Sequence, residues 1–349
     1  MNTTQELPIV DASAYFAARL QGAKASAEAL RLGRQIKEAC HSVGMFYLVG
    51  YDIDQALIDG VMRHSAQFFA SSQSDKDAIS IKNSPQFRGY GLLKNYRDWR
   101  EQIHIGVESS FAELSDTVPS VYWQLWGKNQ WPASTDSGEF KSCVLDYFAA
   151  VESLARTLLS LLAEALDKPA DFFTERMKDR PYLLMKAMSY LPQEKKDADA
   201  SSQMGVTAHC DWSWLTFLVQ DDVGGLEAQD IDGNWRKVNP LPRSIVVNTG
   251  ELLEIETGGY LRASPHRVIN ERIDRQRYSV PVFINPALDA PILPGANSSD
   301  CVPAAHGEAH VHKVIRPGTT LASFVFGDSE FERKANGVWC YEPECVSAL

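Results

Sequence analysis

Apolar residues recur early in the chain at the three- and four-residue spacing of a helix that buries one face. Leu32, Ile36, Cys40 and Val43 form one such stripe. It stops at Gly44, and Met45-Phe46-Tyr47-Leu48-Val49 follows as a continuous apolar run that predicts a short buried strand. A second stripe, through Val151, Leu154, Leu158, Leu161, Leu162 and Leu166, predicts a long helix ending before Pro169. Both helices read as scaffold packed on a sheet. Ser84 to Ser134 between them follows neither period. It reads as an irregular segment rich in aromatics, Phe87, Tyr90, Tyr96, Trp99, Tyr122, Trp123, Trp126 and Trp131, suited to a binding loop or to edge packing.

From Tyr182 the pattern changes to short β-rich runs. Trp214 to Gln220, Ser244 to Asn248, Ala263 to Asn270 and Arg277 to Ile284 read as strands. Leu226 to Val238 reads as a hairpin around Asp232-Gly233-Asn234. Successive strands without intervening helices predict an antiparallel sandwich or jelly roll, so the fold class is α+β. Gln193 to Gln203 reads as a solvated loop.

Composition narrows the function. Hydrophobic residues at 44% and charged residues at 23% are ordinary for a globular protein, which excludes a disordered chain. A net charge of −11 disfavours nucleic acid and anionic membrane as main partners. The amino-terminal residues lack a basic segment followed by an apolar run, and no apolar stretch is long enough to span a bilayer. Cys40, Cys143, Cys210, Cys301, Cys340 and Cys345 form no zinc-like pair, and reduced thiols in a cytoplasmic protein are the expectation.

Against that background one set of residues carries chemistry. Residues i and i+2 of a strand share a face, so His209 and Asp211 can reach one ion while Cys210 points away. His266 is expected to return on another strand, and Arg277 on the strand beside it after a tight turn. Two imidazoles and one carboxylate cap one triangular face of a ferrous ion and leave the opposite positions open, the pattern of non-haem iron(II) oxygenases. The Arg277 guanidinium and the Ser279 hydroxyl, again at i and i+2, suit the distal carboxylate of 2-oxoglutarate. A second group, His306, His310 and His312 with Glu308, reads as a solvated loop.

The chain resembles the iron- and 2-oxoglutarate-dependent dioxygenases of the isopenicillin N synthase type, from Leu7-Pro8-Ile9-Val10-Asp11 to about Pro286. The matching stretches include Arg88-Gly89-Tyr90, Asn129-Gln130-Trp131-Pro132 and Ala208-His209-Cys210-Asp211. Leu215 through Leu226, Val247-Asn248-Thr249-Gly250-Glu251, Ser264-Pro265-His266-Arg267-Val268 and Arg277-Tyr278-Ser279 continue the match. The resemblance implies a double-stranded β-helix core with flanking helices. It places Fe(2+) on His209, Asp211 and His266, and 2-oxoglutarate on Arg277 and Ser279. Tyr190 matches a tyrosine that lies beside the co-substrate in relatives. Met188 departs from the pattern, standing where many relatives carry an asparagine that helps hold the metal-proximal carboxylate, and Ser213 stands where glycine is usual.

The expected organisation is a mainly helical region over 1–180, the iron and 2-oxoglutarate core over 181–290, and a tail over 291–349 that shapes the substrate pocket. The implied activity couples conversion of 2-oxoglutarate and O2 into succinate and CO2 to oxidation, by default hydroxylation, of a small organic molecule. The aromatics favour a hydrophobic or aromatic substrate, and Arg88, Arg97 and Arg100 leave room for a carboxylate on it. Two alternatives are an oxidase of the same fold that uses no 2-oxoglutarate and a non-catalytic small-ligand binder. Oligomeric state is not legible.

Overall fold

Strands from both halves of the chain meet in one sheet. The computed structural model describes residues 7–21, 26–95, 98–108, 125–133, 137–178, 180–192, 204–270, 275–295 and Leu321. Its strands are β1 (Ile9–Asp11), β2 (Met45–Val49), β3 (Gly89–Lys94), β4 (Trp99–Gly106), β5 (Leu184–Tyr190), β6 (Met204–His209), β7 (Leu215–Gln220), β8 (Leu226–Gln229), β9 (Trp235–Lys237), β10 (Ile245–Thr249), β11 (His266–Ile269) and β12 (Arg277–Ile284). The larger sheet has the order β1-β2-β10-β7-β12-β5-β4-β3, and the smaller the order β6-β11-β8-β9. All pairings are antiparallel except β1 with β2. This is the expected jelly-roll core. The helices are α1 (Ser13–Leu20), α2 (Ser26–Ser42), α3 (Gln55–Phe69), α4 (Gln73–Ala78), α5 (Ser137–Ala165) and α6 (Glu251–Glu256).

Alternation along the strands of the larger sheet sorts its residues between two cores. Phe217 and Val219 of β7, Val247 of β10 and Val280 and Val282 of β12 pack with Leu32 and Ile36 of α2 and Leu154, Leu158 and Leu161 of α5. Their neighbours Leu218, Val246 and Tyr190 face the smaller sheet and meet Val206, Leu226 and Val268. The predicted stripe on α2 is the buried one. Its chain turns at Gly44, whose φ of +78° is costly for any residue with a Cβ, and whose N–H donates to the Ala39 carbonyl. The hairpin closes on Asp230, which accepts the N–H groups of Asp232 and Asn234.

Three expectations need correction. Ser84 to Ser134 is not uniformly irregular, since β3 and β4 lie within it and extend the larger sheet. β4 escaped notice because Arg100, Gln102 and His104 on one face and Glu101 on the other are polar although buried, leaving Ile103 and Ile105 as its only apolar alternation. The helix before Pro169 begins at Ser137, well upstream of Val151, with Phe140, Val144 and Tyr147 extending its buried face. α6 interrupts the run of strands between β10 and β11, burying Leu252, Leu253 and Ile255. Tyr90 and Trp126 of the aromatic segment are core packing. Tyr96, Arg97, Tyr122, Trp123, the 193–203 loop, the His306 group and the aromatics Phe324, Phe326, Phe331 and Trp339 lie outside the described residues. Among the described residues no helix is long and apolar enough to cross a membrane, and Cys40, Cys143 and Cys210 are free thiols.

Candidate functional site

The last residue of β6 and the first of β11 are direct cross-strand partners, and they are His209 and His266. Asp211 lies just beyond the end of β6, where the chain leaves the sheet, rather than on the same strand as His209. From there its carboxylate reaches both rings. Oδ1 is 3.6 Å from His209 Nε2 and 3.6 Å from His266 Nε2. One ligand atom from each of the three side chains lies within 4.8 Å of the others, and Cys210 is not part of the cluster.

Local hydrogen bonds decide which atoms face the centre. His209 Nδ1 lies 2.8 Å from the Thr207 carbonyl and His266 Nδ1 2.9 Å from the Ser264 carbonyl. A carbonyl only accepts, so each Nδ1 carries the proton and each Nε2 presents a lone pair. Asp211 Oδ2 accepts from the Thr216 hydroxyl at 2.6 Å and from the Asn248 amide at 2.8 Å. Thr216 in turn accepts from Ser213, 3.0 Å away, because its own proton is committed to Asp211. Oδ1 alone is left for the rings. Burial by itself would raise the Asp211 carboxyl, yet the two imidazoles and the Asn248 and Thr216 donors hold it below the usual carboxylate range. Burial, then the neighbouring His266, keeps the His209 ring neutral by lowering its pKa. Two imidazole Nε2 atoms and one ionised carboxylate oxygen, each backed by a fixed partner, fit a divalent first-row metal ion.

Arg277 opens β12, which belongs to the larger sheet, so it does not return beside β11 as the spacing suggested. Its side chain is buried between the sheets. Nη1 donates to Ser279 at 3.3 Å and Nη2 to Gln220 Oε1 at 2.8 Å, while Nε has no partner. The guanidinium stacks 4.6 Å over the ring of Tyr190, whose hydroxyl lies 3.4 Å from Ser279. Among the described residues no carboxylate pairs with this buried cation. A buried guanidinium without a counterion and with Nε orphaned, and a hydroxyl beside it, fits an incoming carboxylate such as the distal end of 2-oxoglutarate.

Sequence reasoning missed the residues that support these groups. Thr216, Asn248 and Gln220 are polar side chains on apolar strands, a signal visible in the chain but shared with many harmless positions. Met188 removes an amide, yet an amide stands beside it. Gln102 on β4 is the cross-strand partner of Met188, fully buried, with Nε2 unpartnered. Of the arginines considered for a substrate carboxylate, Arg100 is paired with Asp98 at 2.5 Å, whereas Arg88 has no acid partner among the described residues.

Residues 7–134 match the family model described as "non-haem dioxygenase in morphine synthesis N-terminal", and residues 182–286 match the "2OG-Fe(II) oxygenase superfamily". A "Probable iron/ascorbate oxidoreductase" of Dictyostelium discoideum is 33% identical over 308 residues, covering 81% of this chain and 82% of the relative. The "2-oxoglutarate-Fe(II) type oxidoreductase hxnY" of Emericella nidulans is 34% identical over 289 residues, covering 80% and 79%. A full-length Neurospora crassa protein, crystallised in complex with alpha-KG and thymine, superposes with a TM-score of 0.71 at 20% identity, over 97% of this chain and 99% of that one.

Proposed function

The chain belongs to the 2-oxoglutarate- and iron(II)-dependent oxygenases, and from that membership we propose that His209, Asp211 and His266 hold the ferrous ion while Arg277, Ser279 and Tyr190 hold 2-oxoglutarate. As a member the chain is an oxidoreductase of the dioxygenase type that works with iron and 2-oxoglutarate. The bound iron supplies the redox chemistry by which 2-oxoglutarate and O2 become succinate and CO2 as the substrate is oxidised. The observation that carries the residue assignment is the bonding pattern of the three side chains, which leaves unbonded only the atoms that face one another.

In this reading Thr207 and Ser264 fix the two ring tautomers. Asn248 and Thr216 keep Asp211 ionised and aim Oδ1. Arg277 and Ser279 orient the co-substrate from its distal carboxylate, with Tyr190 as the floor under the guanidinium. Gln102 supplies the amide donor that Met188 lacks. Because Asp211 is retained, no ligand position is given up to a halide, and hydroxylation is the default outcome.

The substrate is a small molecule with an apolar or aromatic body. Support comes from the ring of Trp212, next to Asp211, which stacks on Phe283 at 6.0 Å and lies 6.0 Å from Tyr182. Thymine in the Neurospora crassa complex is a molecule of that size. The tail over 291–349 is proposed to shape this pocket, with 181–290 as the iron and 2-oxoglutarate core and 1–180 as the mainly helical region packed on it. Leu321, its described residue beyond 295, is buried and donates its N–H to Ala290. A cytoplasmic location is part of the same proposal.

The test is an anaerobic titration of the protein with Fe(II) and then 2-oxoglutarate, following the metal-to-ligand charge-transfer band. Wild type is expected to give the band at one iron per chain, and His209→Ala and His266→Ala to lose it with the fold intact. A full band in either variant removes the assignment.

A further inference from the structure

Among the described residues six lysines and arginines are buried: Lys76, Arg88, Arg100, Arg176, Lys186 and Arg277. Three have carboxylate partners, in the pairs Lys76–Glu101, Arg100–Asp98 and Arg176–Glu256. Arg277 is accounted for by 2-oxoglutarate. Arg88 and Lys186 are left, and neither has an acid within ion-pair distance among the described residues. A buried charge without a counterion is costly enough that the missing partner needs an explanation.

Both cations border the same stretch of the interior. Lys186 lies on the face of β5 that carries Met188 and Tyr190, and its Nζ sits 5.0 Å from the centre of the Phe283 ring. Among the described residues Arg88 donates only to the carbonyls of Gln86 and Leu125, both at 3.1 Å, with Nε unpartnered, and lies 5.9 Å from the Tyr182 ring. Its guanidinium occupies the place that a side chain at Gly106 would take, since a Cβ there would come within 2.1 Å of Nη2. His104 lies between them, across from Lys186 on β4 and one inward position from Gly106. The His104 ring is held neutral by burial and by the charges of Lys186, Arg88 and Arg100, and its Nε2 is bare. Tyr182, Trp212 and Phe283 form an aromatic row beside this cluster, and Trp212 directly follows Asp211 in the chain.

We propose that Lys186 and Arg88 receive a carboxylate of the substrate, so that the molecule oxidised is an organic acid whose body lies along Tyr182, Trp212 and Phe283 toward the three ligand side chains. This rests on the metal and 2-oxoglutarate assignment above and adds the substrate class to it. His104 Nε2 then accepts a hydrogen bond from a donor on the same molecule, and the bare amide of Gln102 remains for 2-oxoglutarate.

The experiment uses the full chain under anaerobic conditions with Fe(II) and saturating 2-oxoglutarate, and benzoate and its uncharged counterpart benzamide as probes. Calorimetry and the shift of the charge-transfer band are the readouts. Benzoate is expected to bind about tenfold or more tighter than benzamide, and Lys186→Met and Arg88→Met each to erase most of that preference, with Lys186→Arg keeping part of it. The melting temperature of ligand-free Lys186→Met is expected to equal or exceed that of wild type, because the substitution removes an unpaired buried charge. Equal binding of the two probes, binding of neither, a preference that survives both methionine substitutions, or a large fall in melting temperature overturns the proposal. If instead no 2-oxoglutarate band forms in wild type, the parent assignment fails. Calorimetry with the iron-free protein still reads the benzoate preference, so the two failures are separable.

Discussion

Where β6 meets β11, every polar side-chain atom of His209, Asp211 and His266 but three is bonded to the scaffold. On β4, β5 and β12, by contrast, Lys186 and Arg277 end without counterions among the described residues, and Gln102 and His104 keep nitrogens unpartnered there. The first corner offers backed lone pairs and one ionised oxygen, which suits a cation. The second offers donors and positive charge in a desolvated space, which suits anions. The buried pair Arg176–Glu256 shows what the same chemistry looks like when nothing is to bind. Both guanidinium ends meet the carboxylate, with Nη2 at 2.8 Å from Oε2, and Trp214 donates to Oε2 at 3.1 Å. Buried charge is therefore paired within the fold in one place and, among the described residues, unpaired in another.

Arg277 carries the largest expected effect. Arg277→Leu is expected to weaken 2-oxoglutarate binding by roughly 3–5 kcal/mol, or about two to four decades, because the co-substrate's buried carboxylate loses its charged fork. Iron binding and folding stability should hold. Arg277→Lys should recover only part of the loss, since an ammonium lacks the planar fork. Retained 2-oxoglutarate affinity in the leucine variant, read from the anaerobic titration, would return Arg277 to a structural role.

Glu256→Gln should do the opposite. It leaves Arg176 buried without its counterion, at a cost on the order of 3 kcal/mol in folding stability by urea unfolding, with 2-oxoglutarate affinity unaffected. A stability change near zero would mean that pairing does not distinguish the two kinds of buried cation.

A smaller effect sharpens the metal corner. Asn248→Ala removes one of the two donors to Asp211 Oδ2 and is expected to lower ferrous affinity by about 10–100-fold, measured by competition with a chelator. Unchanged affinity would show that Thr216 alone aims the carboxylate.

The smallest effect is a pH dependence. Burial, then the charge of Arg100, pushes the Lys186 ammonium down to about 7, opposed by Asp211 and Asp98. The other groups facing it are His104, held neutral across the strand pair, and beyond it Arg88. A lysine is charged below its pKa, so benzoate affinity should be fully present below about pH 7. It should fall by up to tenfold per unit as the pH rises through that value, until the higher pKa of the complex is reached. Affinity that is flat from pH 6 to 9 removes Lys186 from the anion site.

Much of this protein was legible in its residues. Side-chain periods in α2, β2 and β12 depend on a few neighbouring positions, so Leu32 to Gly44, Met45 to Val49 and Arg277 to Ile284 could be read locally, and α5 partly so. The chemical types of His209, Asp211, His266, Arg277 and Ser279 likewise carried their meaning in the chain. Tertiary structure alone decided the rest. That His266 sits opposite His209, that Asp211 reaches both from beyond the strand end, and that Arg277 lies in the other sheet are facts of strand pairing across long loops, which no local pattern encodes. β4 was hidden because Arg100, Glu101, Gln102 and His104 are polar, and a polar row reads as surface until the sheet that buries it exists. The unpaired state of Arg88 and Lys186 was hidden for the same reason. Any of the chain's acids could have paired with them, and only the packed interior shows that, among the described residues, none comes within ion-pair distance.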